Sequence, residues 1–447
     1  MASAAEQLAA NMNWGVFAQA TELKKRIWFT LGALIVYRLG TYIPLPGIDP
    51  HALADVFSRN QGGILGMFDM LAGGALSRMT LFALNIMPYI SASIILQLLT
   101  TMTPSMIALK KEGEAGRKKI NQYTRYLTVV IAAFQAWAIA AGLESMTGSG
   151  GAVVVDPSLF FRFTTVVTLV GGTMFLMWLG EQITARGVGN GISLIIFAGI
   201  VANLPQALVA TLELGRTGAL HPLLILLLLL MAVGVIAFIV FMERAQRRIL
   251  IQYPKRQVGN RLYGGESTHL PLKINTAGVI PPIFASSILL LPTTVTSFYA
   301  GSGPDWLQGL VGWLGHGQPI YMLLYAAMIA FFAFFYTAVV FNPHETADNL
   351  KKHGGFIPGI RPGKNTAEYM DYVLTRLTVV GALYLVFISI LPEILITRLA
   401  VPFYFGGTSL LIVVSVTMDT VTQVQSHLLA HQYEGLIRKS KLKGRRG

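Results

Sequence analysis

Long apolar runs recur along this chain, separated by short polar or basic stretches. A run of about 20 apolar residues is long enough to cross a bilayer core as a helix. Ten segments meet that description, near 27–43, 79–99, 126–143, 159–179, 192–210, 222–242, 276–298, 320–341, 373–391 and 403–421. The sixth has nothing polar between Leu223 and Met231, whereas the first and fifth are shorter or richer in glycine. The pattern predicts an all-α membrane protein with ten transmembrane helices.

Basic residues orient such a chain, because Lys and Arg collect on cytoplasmic segments. With the N-terminus in the cytoplasm, 28 of the 34 Lys and Arg residues fall on that side. They cluster at Lys24–Arg26, Lys110–Arg125, Arg186, Arg244–Lys273, Lys351–Arg376 and Arg438–Arg446. The others are Arg38, Arg59, Arg78, Arg162, Arg216 and Arg398. Both termini are therefore expected in the cytoplasm. Ten spans divide into five and five, and an odd number per half makes the second half run opposite to the first, which permits two inverted halves. The expected divisions are a cytoplasmic N-terminal segment 1–26, a first half 27–210, a second half 211–421 and a basic tail 422–447. The second half would carry long basic cytoplasmic loops at 243–275 and 342–372.

Composition agrees. Of the 447 residues, 53% are hydrophobic and only 12% charged, with a net charge of +13; a soluble domain carries roughly 25% charged residues. Glu6 and Glu22 precede Lys24, Lys25 and Arg26 with no apolar core before Ile27, so a cleavable signal peptide is not expected and the first apolar segment is read as a retained anchor. With no cysteine, disulfides, thiolate catalysis and Cys-ligated metals are excluded. No HExxH, GxSxG, phosphate loop or pair of intramembrane carboxylates is present, so neither enzyme chemistry nor a cofactor is expected. A ten-helix solute carrier is the alternative, but ion-coupled carriers bury ionisable groups. The cores of these spans hold almost none, Asp419 lying near the cytoplasmic end of the last.

What the spans offer instead is isoleucine with small polar residues. Ile86 and Ile90 are four residues apart, as are Ile192 and Ile196. That spacing ordinarily means a lipid-facing or helix-packing surface; it also suits an apolar constriction that dewets and blocks ions. Periodicity does not choose between them. The stretch Gly62–Gly74 is apolar, too short to span and bounded by glycines, which fits an interfacial helix, a re-entrant stretch or a small movable stopper.

Several blocks along the chain are distinctive. They are Gly73-Gly74-Ala75-Leu76-Ser77-Arg78, Met87-Pro88-Tyr89-Ile90-Ser91-Ala92-Ser93, Lys111-Glu112-Gly113-Glu114 and Gly187-Val188-Gly189-Asn190-Gly191-Ile192-Ser193. Further along come Gln246-Arg247-Arg248, His269-Leu270-Pro271-Leu272-Lys273-Ile274-Asn275, Phe341-Asn342-Pro343, Gly359-Ile360-Arg361-Pro362-Gly363 and Pro402–Leu411. Together, and in order along essentially the whole chain, these blocks resemble the SecY family, the channel-forming subunits of bacterial protein translocases, closest to the proteobacterial type. The resemblance implies a multi-pass protein of the bacterial inner membrane with two five-helix halves around a central pore. That pore would pass unfolded preproteins and release signal sequences and membrane segments laterally into lipid. It implies a pore ring of Ile86, Ile90, Ile192, Ile196, Ile283 and Ile412, all isoleucine here. It also implies a plug at 62–75 that includes Gly66, Met67, Phe68, Met70 and Leu71. A lateral gate would lie between the second and seventh spans, with Gln97 and Asn275 as its polar pair. Implied partners are SecE, SecG, the motor ATPase SecA and the ribosome, with SecDF and YidC as accessory contacts. Arg256 and Arg361 would be docking residues for SecA and the ribosome. Read by charge alone, those basic loops need only enforce topology and touch membrane lipids; the resemblance favours docking.

Overall fold

The computed structural model describes residues 20–59, 69, 72–148, 151–218, 221–254, 256–258, 261–263, 267–299, 318–399 and 407–443. Helices dominate: α1 Thr21–Gly40, α2 Pro50–Arg59, α3 Met87–Met102, α4 Pro104–Lys111, α5 Glu114–Ser145, α6 Leu159–Arg186, α7 Gly191–Arg216 and α8 Pro222–Arg244. After them come α9 Ile280–Tyr299, α10 Pro319–Val340, α11 Pro343–Lys352, α12 Lys364–Leu399 and α13 Gly407–Lys443. The strands are short: β1 Thr147–Gly148, β2 Gly151–Ala152, β3 Gln246–Gln252, β4 Arg256–Val258, β5 Arg261–Tyr263 and β6 Ser267–Lys273. Among the described residues six helices are long and apolar enough to cross a membrane, and a seventh span results if α3 and α4, bent by 96°, count as one. Their surfaces carry apolar side chains that a water-soluble protein would bury. On α8, Leu223, Leu226, Leu227, Leu230, Val233 and Phe241 are all exposed, which suits lipid as the surrounding solvent.

The chain forms two compact units. The first comprises residues 1–89, 125–205 and 416–447, the second 90–124 and 206–415. In the first, backbones approach closely at glycines. A Cβ on Gly172 of α6 would collide with the Leu81 carbonyl, and one on Gly191 of α7 with the Gly180 carbonyl of α6. Small residues at such crossings let backbones pack without a side chain between them. Tyr37, Phe82 and Phe175 stack in sequence, with ring centroids 6.1 and 5.9 Å apart.

In the second unit, α8 opens with Pro222 at its first position and His221 as cap, whose Nδ1 accepts the Leu223 N–H at 3.3 Å. It ends at Arg244, and the chain passes straight into the antiparallel ribbon β3–β6, paired from Gln246 with Lys273 to Gln252 with Ser267. Alternation puts Ile249 and Ile251 on one face of β3 and Arg248 and Leu250 on the other. The inner face buries Ile249 and Leu272 against Ile357, with Ile360, Tyr369 and Val373 packed around them. Gln252 and Phe356 exchange backbone hydrogen bonds of 2.9 and 3.0 Å, tying the 356–363 segment to the ribbon.

One expected element differs. Helix was anticipated over 79–99, but it starts only at Met87. Thr80 pairs instead with Pro44 as an isolated antiparallel bridge, Leu45 N–H donating to Met79 O at 3.0 Å and Leu81 N–H to Ile43 O at 3.0 Å. Met79 and Asn85 adopt left-handed φ values of 43° and 50°, which no helix accommodates.

Candidate functional site

The expected pore residues stand at the beginnings of helices. Ile86 immediately precedes α3 and Ile90 is one turn into it. Ile192 and Ile196 open α7, Ile283 lies in the first turn of α9, and Ile412 follows the start of α13. Ile86, Ile90, Ile196 and Ile412 are buried, while Ile192 and Ile283 are partly so. Among the plug positions, Gly66, Met67, Phe68, Met70 and Leu71 lie outside the described residues.

The start of α7 is set by the corner Gly187–Gly191, whose backbone donors find partners on α1, α13 and α6. Val188 N–H donates to Thr30 Oγ1 (3.0 Å), Gly189 N–H to Gln423 Oε1 (2.9 Å) and Gly191 N–H to Thr184 Oγ1 (2.9 Å). Asn190 Oδ1 accepts from Ile192 N–H at 3.1 Å and so caps the helix that carries both isoleucines. Gly189 has φ +89°, and a Cβ there would press on Leu194. Sequence reasoning picked out the corner motif but not Thr30, Thr184 or Gln423. Nothing in their local pattern marks them.

The turn at the C-terminal end of the expected plug segment 62–75 is also held tightly. Gly73 and Gly74 have φ of +67° and +80°. The Gly73 carbonyl accepts from Arg38 Nη1 at 2.7 Å and from Arg78 Nη2 at 3.1 Å. Both guanidinium groups lie over the Tyr42 ring, 5.0 and 4.3 Å from its centroid. Asp69 Oδ1 accepts Ser77 N–H at 2.7 Å. Burial pushes the Asp69 carboxyl above its ordinary range, opposed by the Ser77 hydrogen bonds and the Arg78 charge.

Of the expected gate pair, Asn275 is buried and Gln97 partly buried. Asn275 Nδ2 donates to Glu243 Oε1 at 2.7 Å and to Gly278 O at 3.0 Å. Gln97 Oε1 is buried with no hydrogen-bond partner.

The two docking candidates sit on the basic loops. Arg256 begins β4, where it pairs with Tyr263 of β5. Arg361 is exposed on a segment braced from both sides: Ile360 N–H donates to Ile357 O at 3.1 Å, and Thr366 Oγ1 donates to Arg361 O at 3.0 Å. Arg247, Arg248, Lys273, Lys351 and Lys352 are exposed in the same unit, giving a cationic surface for an anionic partner.

A multi-helix membrane chain, with the expected isoleucines at or near the starts of several of its helices, is the class that fold and site define. The SecY family model matches residues 80–421. The chain is 59% identical over 424 residues to the protein translocase subunit SecY of Escherichia coli, covering 95% of this chain and 96% of that one. It is 57% identical to the Rickettsia typhi subunit over 424 residues, 95% of this chain and 98% of that one. The solved Sec61 in the canine ribosome–channel complex superposes with a TM-score of 0.60 at 17% identity, covering 91% of this chain and 92% of that one, a likeness of fold. The chain belongs to the SecY family.

Proposed function

We propose that this chain is the channel-forming subunit of a bacterial Sec translocase, a multi-pass protein of the inner membrane that conducts unfolded polypeptides. The observation that carries the reading is 57–59% identity with translocase SecY subunits over 95% of the chain. A carrier reading would call for buried ionisable residues that the spans do not supply.

The residues support a mechanism. Ile86, Ile90, Ile192, Ile196, Ile283 and Ile412 would form an apolar ring that fits around an extended polypeptide, binds no side chain tightly and excludes hydrated ions. The segment 62–75 would plug it. An apolar signal sequence gains roughly 0.3–0.6 kcal/mol for each Leu, Ile, Phe or Val placed at mid-membrane. Over ~20 residues that sum exceeds the ~1–2 kcal/mol of one polar pair between helices. A signal sequence would therefore part a gate lined by Gln97 and Asn275 even if one polar pair formed across it, while a polar segment would continue through the pore. SecE and SecG would complete the complex. SecA or the ribosome would dock at Arg256 and Arg361, the ribosome through RNA phosphate charge and hence with strong salt dependence.

Depletion of the chain in its source bacterium, followed by pulse-labelling of secreted proteins, tests the reading. Rapid build-up of uncleaved precursors is expected. Normal processing together with lost uptake of a small solute would overturn it in favour of a carrier.

A further inference from the structure

The environment of Asn275 contains more than a gate partner. Its side chain is buried, at 5% exposure, where the ribbon β3–β6 returns to the membrane helices and turns into α9. Three elements close around it. Glu243, the penultimate residue of α8 and the only acidic residue in that helix, accepts its amide at 2.7 Å. Gly278, with φ +63°, turns its carbonyl back to accept the same amide nitrogen at 3.0 Å. On α12, Gly381 leaves room for the strand to pass, since a Cβ there would meet the Ile274 carbonyl at 2.8 Å and Asn275 Cα at 3.5 Å. Ile274 N–H donates to Ala245 O at 3.1 Å, fastening the same point to the end of α8.

A primary amide has two N–H donors, and both are accounted for here. A hydrogen bond to an ionised carboxylate is about twice as strong as a neutral one. Gln97 Oε1, meanwhile, is a buried acceptor without a donor. Within this one unit there is thus a donor group held by a carboxylate and an amide acceptor left without a partner.

We propose that Glu243 is a positioning residue for the lateral gate, holding the Asn275 amide on α8 so that it is not given to Gln97. This rests on the gate reading above. Glu243 keeps the gate's polar pair unmade and the threshold for signal sequences low. Weakening or removing that acceptor frees Asn275 N–H for Gln97, joins the two gate elements by a hydrogen bond and raises that threshold.

The test measures export of two precursors by the assembled translocase, one with a strongly and one with a weakly apolar signal sequence. Glu243→Gln keeps the shape of the side chain and Glu243→Ala removes it; immunoblotting establishes that each variant accumulates in the membrane. Export of the weak-signal precursor is expected to fall about fivefold in both variants, with the strong-signal precursor little changed. The loss should disappear when Gln97→Leu is combined with either substitution, because no acceptor remains. An undiminished weak-signal export in both variants, or an equal loss with and without Gln97→Leu, overturns the role of Glu243. If cysteines introduced as Gln97→Cys and Asn275→Cys are not joined by a short bis-maleimide in the assembled translocase, the gate reading itself fails. Should Glu243→Ala not accumulate, Glu243→Gln carries the decision.

Discussion

At the scale of single residues, the proposed function rests on side chains with little chemistry. In the proposed ring the isoleucines at helix starts offer bulk and apolarity, and would deny ions hydration. Replacing Ile86 or Ile283 with Asn puts an amide where a branched alkyl group stood. Export of precursors with defective signal sequences is expected to rise, with measurable ion leak across proteoliposomes. Wild-type values for both would remove these two residues from the ring. These positions were legible only through the family resemblance, because four-residue spacing of isoleucine also describes a lipid-facing surface. The partners of the Gly187–Gly191 corner were not legible at all. Thr30 and Gln423 lie 158 and 234 positions from the N–H groups they accept, and a hydroxyl or amide acting across that distance leaves no periodic trace in the sequence.

At the scale of elements, the apolar runs located the helices well, since hydrophobic length is what a bilayer selects. They failed over 79–86 because apolar content does not fix backbone geometry: all of these residues but the partly buried Leu81 are buried, yet bridge pairing with 43–45 and two left-handed residues hold them out of a helix. The ribbon β3–β6 was likewise read only as a basic loop with turn-like Pro and Gly. The contact between α6 and α7 gives a prediction with an internal control. Gly191→Ala places a methyl group against the Gly180 carbonyl, an overpacking that costs about 1–3 kcal/mol. Gly171→Ala, on α6 with nothing within 4 Å of its Cβ, should be neutral or stabilise by about 0.5–1 kcal/mol through helix propensity. The midpoint of thermal unfolding in detergent should therefore fall for the first and hold or rise for the second. Equal midpoints would mean that the close crossing of α6 and α7 does not exist in the membrane.

At the scale of the whole molecule, charge distribution couples orientation to partner choice. The same basic loops that the charge pattern assigns to the cytoplasm present Arg361 on a braced, exposed segment. Arg361→Glu reverses one charge without touching a buried group, so the variant should accumulate normally while motor-driven export into inverted membrane vesicles drops at least tenfold, the scale of about 1.4 kcal/mol of lost docking. Unimpaired export would reduce Arg361 to a topology signal. Orientation can be read directly because the chain contains no cysteine, so a single introduced thiol has no background. Asp156, between β2 and α6, and Lys352, at the end of α11, are both exposed and should lie on opposite sides of the membrane. In intact spheroplasts a membrane-impermeant maleimide should label Asp156→Cys at once and Lys352→Cys only after the membrane is opened. Five spans separate the two sites in the ten-helix reading, an odd number, so labelling of both from one side would require a span to be lost or gained between them. That result would also undo the inverted relation of the two halves, which depends on each half crossing the bilayer an odd number of times.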